Sequence, residues 1–350
     1  KDLSTIAYTS GTTGHPKGAM QSHEAVILNG SMMSQLHMRG SDDTVVSALP
    51  CPHVYANVLM TGMMMFGTKL VLHKTFEVEA IFEAINIHKA TIFDGVPTMY
   101  MFMLNSPNLK SSKLSSLKRC YVGGQTMPVA TMAAVEKEFK VPLIELWGMT
   151  EIAGLGATFP LFGPNKHGSI GCAIPYCELK IADVDDCSKQ MSVGEVGELM
   201  VKGPITMMGY FGDKEKTRET LEPDGWLHSG DLAKMDKDGC VYIVDRKKDM
   251  IITGGYNVYP AEIERVLAAN SKVALAAVGK QNDVLKGEIA KAYIVLKEGQ
   301  DATEDEIIAF CREELAAYKC PRKVQFVKDV PKTSTGKIMR RELNTLDHLS

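Results

Sequence analysis

The sequence is poor in the features that mark several protein classes. None of its eight cysteines (Cys51, Cys120, Cys172, Cys177, Cys187, Cys240, Cys311 and Cys320) forms a C-x-x-C pair, which argues against a structural zinc module. Their spacing shows no disulfide framework and, with 21 methionines, suits a reducing cytoplasm. Basic residues are not in excess: 39 Lys and Arg against 42 Asp and Glu leave a formal charge of −3. Neither a nucleic-acid partner nor an acidic tail is indicated. Apolar stretches such as residues 58–66 are too short for a transmembrane segment, and no secretory signal opens the chain. Repeats and low-complexity segments are missing too.

What is present is an ordinary globular composition, 45% apolar and 23% charged, in 350 residues, enough for two or three domains. Residues 1–174 alternate strand and helix patterns. Strands are expected over 5–9, 69–73, 90–94, 118–122 and 143–146, and helices over 23–36, 78–88 and 129–139. Such alternation implies an α/β layer with a mostly parallel sheet. Residues 175–246 read instead as short strands (178–182, 198–202, 232–235, 241–244) broken by Gly, Pro and Asp turns, which suits a small β-barrel-like subdomain. From 247 to 350 the pattern is α+β. Pro260 precedes a helix over 261–269, strands follow over 273–278 and 289–296, and Thr303 with Glu306 has capping-box spacing before a helix over 307–315. A last strand is expected over 323–327. The fold class is therefore α/β multidomain.

The first expected strand runs into Thr9, Ser10, Gly11, Thr12, Thr13, Gly14, His15, Pro16, Lys17 and Gly18. Glycines let backbone N–H groups approach anionic oxygens, hydroxyls donate further bonds, and Lys17 adds positive charge, a chemistry suited to polyphosphate. No Gly-Lys-Ser/Thr closes the segment, so it is not a Walker A loop. This segment resembles the phosphate-binding signature of the adenylate-forming superfamily, which includes acyl-CoA synthetases, luciferases and peptide-synthetase adenylation domains. Further segments resemble the family's motifs in the same order.

Trp147-Gly148-Met149-Thr150-Glu151 is similar to the family's aromatic-Gly-x-Thr-Glu motif. An aromatic ring can stack on adenine, Thr150 can donate to the α-phosphate, and Glu151 offers one hard oxygen to Mg²⁺. The family usually carries Tyr where this chain has Trp147, so a hydroxyl contact is lost while stacking survives. Gly230-Asp231-Leu232 resembles the motif whose Asp accepts from both ribose hydroxyls, and Asp245-Arg246-Lys247-Lys248-Asp249 follows it. The resemblance implies that Arg246 also reaches the ribose and that Lys248 is the hinge of a mobile C-terminal domain. Gly254 and Gly255 match a loop lining a coenzyme A tunnel, although glycines there could also simply precede a helix start. Lys337, in Pro331-Lys332-Thr333-Ser334-Thr335-Gly336-Lys337, matches the catalytic lysine. Gly123, Gly124 and Gln125 match the turn beside adenine more loosely.

The resemblance implies ATP-dependent activation of a carboxylic acid to acyl-AMP, then transfer to coenzyme A, with ATP, Mg²⁺ and coenzyme A as the cofactors. His53 and Gly95 fall where the family builds its acyl pocket, His53 suiting a satisfied structural histidine equally well. Amino-acid-activating relatives carry a Phe-Asp pattern near the position of His53, and none is present. The pocket segments 53–57, 93–98 and 146–149 are mostly apolar, with Asp94 the one formal charge and Gly95 expected to leave room. That favours a fatty or other neutral acyl group. Family members carry a sizeable α/β region before the phosphate loop, so the chain is expected to lack the N-terminal part of the large domain, to be weakly active alone, and to self-associate over exposed sheet. Two alternatives stay open: a ligase delivering to an acyl carrier protein, and a non-catalytic nucleotide-binding fragment.

Overall fold

The computed structural model describes residues 2–9, 16–332 and 338–348. Ser10, Gly11, Thr12, Thr13, Gly14 and Lys337 lie outside the described residues. The chain opens with β1 (Leu3–Thr9) and β2 (Lys17–Ser22), antiparallel, with Thr9 opposite Lys17. The 5–9 strand thus forms its own two-stranded sheet instead of joining the parallel one. Ser22 caps α1 (His23–Leu36) by accepting from Ala25 N–H at 3.1 Å.

The large sheet is built from β3 (Thr44–Ser47), α2 (Val54–Phe66), β4 (Lys69–Leu72), α3 (Val78–His88), β5 (Ile92–Gly95), α4 (Pro97–Asn105), β6 (Arg119–Gly123), α5 (Val129–Phe139), β7 (Leu143–Met149), β8 (Gly154–Thr158) and β9 (Cys172–Ala173). Its strand order is β4-β3-β5-β6-β7-β8-β9. Pairing is parallel from β4 to β7 and antiparallel beyond. β5 and β6 are buried at every position, as strands covered on both faces must be. β10 (Glu178–Ala182), β11 (Gly197–Lys202), β12 (Leu227–Met235) and β13 (Val241–Arg246) form a four-stranded sheet in that order, and α6 (Lys214–Thr220) lies between β11 and β12 in sequence.

The chain divides into two units: residues 1–229 with 234–243, and 230–233 with 244–350. The second contains β14 (Ile251–Thr253), β15 (Tyr256–Val258), α7 (Pro260–Ala268), β16 (Val273–Asp283), β17 (Gly287–Leu296), α8 (Glu304–Glu314) and β18 (Lys323–Phe326). The sheet order is β15-β14-β17-β16, with β18 parallel to β17. Ile263, Leu267, Val278, Ala292, Ile294 and Ile307 share its core. The capping box at Thr303 and Glu306 forms in full. Among the described residues no helix is long and apolar enough to cross a membrane.

Candidate functional site

The turn after β7 carries Thr150 and Glu151. The Gly148 Cα stands so close to the neighbouring strand that a Cβ there would lie 1.9 Å from the Gly154 carbonyl oxygen, so only glycine fits. β7 and β8 shift register between Trp147 and Gly148, and a 3-10 turn over Thr150–Ile152 follows. Three distant residues fix this turn. Buried Asn29 of α1 donates to the carbonyls of Ile152 and Leu155 and accepts from Leu155 N–H. Gln21 of β2 donates to the Thr150 carbonyl at 2.8 Å. Tyr210 donates its hydroxyl to Glu151 Oε1 at 2.7 Å.

Tyr210 also ties the turn to the hairpin that flanks the glycine-rich segment. Tyr210 bridges Ala19, Phe211 N–H donates to the Gly18 carbonyl at 2.7 Å, and Lys17 Nζ stands 5.3 Å from the Tyr210 ring centroid. Burial, then the adjacent Glu151 carboxylate, push the Tyr210 phenol well up, so it acts as a donor. Thr9, Lys17, Thr150 and Glu151 thus belong to one neighbourhood. Gln21, Asn29 and Tyr210 hold it together.

In the second unit, Asp231 and Arg246 meet directly: Arg246 Nε lies 2.6 Å from Asp231 Oδ1, with Asp231 buried and the Arg246 side chain 47% exposed. Lys248 is exposed in the 3-10 turn Lys247–Asp249. Arg340 braces that turn, with Nη1 at 3.3 Å from Asp245 Oδ1 and 3.1 Å from Asp249 Oδ2, and a bidentate pair to Glu264. Gly254 and Gly255 form the two-residue turn of the β14–β15 hairpin. Their φ values of +56° and +85° are the left-handed pair such a turn requires. They therefore close a hairpin rather than merely precede a helix.

Residues 1–211 match the family model for AMP-binding enzyme, and residues 262–337 match the model for its C-terminal domain. The chain belongs to the AMP-binding enzyme family. The long-chain-fatty-acid–CoA ligase of Bacillus subtilis is 38% identical over 345 residues, 98% of this chain and 61% of that protein. The 4-coumarate–CoA ligase-like 2 of Arabidopsis thaliana is 35% identical, covering 99% of this chain and 61% of its own length. This AMP-binding chain thus spans about three fifths of those relatives. ATP-bound MatB from Rhodopseudomonas palustris superposes with a TM-score of 0.93 at 31% identity, over 99% of this chain and 69% of that one. MenE from Bacillus subtilis in complex with AMP gives 0.87 at 32% identity, over 98% and 69%.

Within this AMP-binding chain, Glu151 fits a magnesium ligand. Tyr210 occupies Oε1, while Oε2 makes no hydrogen bond to a described residue, and one carboxylate is what Mg²⁺ takes when phosphates and waters supply the rest. Gly123 ends β6, and Gly124 and Gln125 lead on toward α5. Trp147 is buried, and a Cβ at Gly156 would meet its ring at 2.6 Å, so part of the indole packs on β8. His53 caps α2, its Nδ1 accepting from Tyr55 N–H at 3.2 Å.

One expectation about the acyl segments needs correcting. The room expected beside Gly95 is taken by the rings of Phe93 and Tyr100, 3.0 and 3.3 Å from where a Cβ would stand. Asp94 is fully buried and offers no open charge: Arg39 grips it bidentately at 2.8 and 2.9 Å, and Tyr55 donates its hydroxyl at 3.0 Å.

Glu145, two residues before Trp147, is a different kind of acid. It is 2% exposed, its Oε2 has no partner, and burial pushes its carboxyl up to about 8 against a weaker opposing bond from the Met127 backbone. Between the ordinary value near 4.5 and about 8, the folded chain holds a proton the unfolded chain has lost. Its contribution is therefore full below about 4.5 and disappears as pH rises through 8. Glu145→Gln is expected to be near neutral for stability at pH 5 and stabilising by at least about 1 kcal/mol at pH 8. Thermal melts at both values check this; equal effects at the two would contradict the protonated carboxyl.

Proposed function

We propose that the protein activates a fatty or other neutral carboxylic acid with ATP and passes the acyl group to a thiol, coenzyme A being the expected acceptor. The observation that carries this reading is the Glu151 carboxylate, braced by Tyr210 beside the hairpin that bears Thr9 and Lys17. In the first step the substrate carboxylate forms a bond to the α-phosphorus while the bond to the pyrophosphate oxygen breaks. Thr9, the hydroxyls and glycines of residues 10–14, and Lys17 bind the departing phosphates. Thr150 donates to the α-phosphate, and Lys337 neutralises charge as it develops. Mg²⁺, when bound through Glu151, supplies further charge neutralisation. Asp231 accepts from the ribose hydroxyls beside Arg246, while Trp147, Gly148, Met149 and the Gly123-Gly124-Gln125 turn serve adenine. In the second step the thiol sulfur bonds to the acyl carbon, AMP leaves, and the thiol proton passes to solvent. A turn about Lys248 between the steps belongs to this reading. All eight cysteines are free thiols, consistent with work in a reducing cytoplasm.

The test is isotope exchange between pyrophosphate and ATP across a panel of carboxylic acids. Exchange that depends on the acid and falls in Glu151→Ala is expected. ATP binding with no exchange for any acid would instead mark a non-catalytic nucleotide binder. Replacing coenzyme A by an acyl carrier protein identifies the acceptor.

A further inference from the structure

Four residues far apart in sequence meet within the first unit, in a set the proposed reaction does not use. Cys187 follows β10, Glu222 follows α6, and His228 lies on β12. Each brings one ligand atom, and these atoms all lie within 4.8 Å of one another. Cys187 Sγ is 3.7 Å from Glu222 Oε1, and His228 Nε2 is 3.0 Å from the same oxygen. Around a tetrahedral ion bonded at 2.0–2.3 Å, ligand atoms stand roughly 3.3–3.8 Å apart, so small side-chain movements would seat all three on one centre.

The imidazole is also fixed from behind. His228 Nδ1 lies 3.2 Å from Oε2 of Glu198, whose side chain is only 5% exposed. A buried carboxylate on one ring nitrogen leaves the other to face a metal, the outer-shell arrangement that orients histidine ligands. Thiolate, imidazole and one carboxylate form a donor set for a borderline-soft divalent ion, and poorly suit Mg²⁺ or Ca²⁺. The side chains are partly exposed, which gives an ion a route in.

We propose that Cys187, Glu222 and His228 bind one Zn²⁺, with Glu198 orienting the imidazole and water completing the coordination. The absence of a C-x-x-C pair does not bear on such a site, because its ligands are assembled by the fold. Binding replaces two protons: the Cys187 S–H and the proton shared by His228 Nε2 and Glu222 Oε1 both go to solvent. Lys180, which donates to the Cys187 carbonyl at 3.1 Å, is the nearby cation. Because binding releases protons, affinity should weaken as pH falls.

The probe is Co²⁺ added to the chelator-treated 350-residue chain, then displaced by Zn²⁺. One equivalent of Co²⁺ is expected to give thiolate charge-transfer absorption in the near ultraviolet, lost when one equivalent of Zn²⁺ is added. Cys187→Ser should remove that band. Glu222→Gln and Glu198→Gln should weaken binding about 10-fold or more, and an unchanged far-ultraviolet circular dichroism spectrum would separate this from misfolding. The Cys172 and Cys240 sulfurs, 3.8 Å apart, are the competing thiol pair. A band that survives Cys187→Ser and vanishes in Cys172→Ser would overturn the proposal, as would no saturable band at all. None of these readouts depends on ligase activity.

Discussion

Lys337→Ala is expected to slow acyl-adenylate formation by about 10²–10³-fold, the usual cost of removing one donor aimed at developing charge. Thioester formation from supplied acyl-adenylate should proceed at the unaltered rate, because that step breaks a bond to AMP and needs no neutralisation of departing pyrophosphate. Lys332 and Ile338 form an antiparallel bridge, and Met339 N–H donates to the Pro331 carbonyl at 2.8 Å. Arg340, just beyond, is clamped by Glu264, Asp245 and Asp249. Lys332 and Ile338 thus pair with each other, and Arg340 is held within the second unit. Single-turnover measurements of each half-reaction check the prediction; equal losses in both would remove Lys337 from its assigned role.

The largest stability effect should come from Arg39→Met. The Arg39 and Asp94 side chains are 3% and 0% exposed and form a two-bond ion pair. The guanidinium also lies over the Tyr121 ring, 4.4 Å from its centroid. Removing the arginine leaves Asp94 buried with, among the described residues, only the Tyr55 hydroxyl as a side-chain donor. Breaking such a pair costs about 3–5 kcal/mol, or a melting temperature lower by about 6–20 °C in a unit of this size. The double variant Arg39→Met, Asp94→Leu should melt above either single variant, because no charge then remains unpaired. Melting of Arg39→Met within about 2 °C of the parent would show that the pair contributes little.

The sequence revealed repeating patterns well and long-range fixation poorly. Helices at His23–Leu36, Val78–His88 and Val129–Phe139 match their expected bounds, and over Val78–His88 the buried Ile81, Phe82, Ala84 and Ile85 recur with a helical period. α2 did not stand out, since Val54–Phe66 is apolar at almost every position. β12 begins at Leu227, five residues before the expected start, because His228, Ser229 and Gly230 disguise a strand that turns at Gly230 with φ +70°. Motif spacing singled out Glu151, Asp231 and Arg246 as candidates, and the fold places Glu151 beside Tyr210 and Arg246 against Asp231. What grips them was hidden. Gln21 reaches Thr150 across 129 positions, Tyr210 reaches Glu151 across 59, and Arg39 meets Asp94 across 55. Nothing periodic in sequence encodes those separations; only the folded sheet brings them together.

In the proposed reaction Lys17 binds the phosphates of ATP and Asp231 accepts from its ribose hydroxyls. Calorimetric titration of ATP and AMP into the chain tests it most directly. Lys17→Ala should weaken ATP by about 10-fold or more while leaving AMP unchanged, and Asp231→Ala should weaken both by a similar factor. Parent-like affinity for both nucleotides in Asp231→Ala, or equal losses for ATP and AMP in Lys17→Ala, would contradict the account.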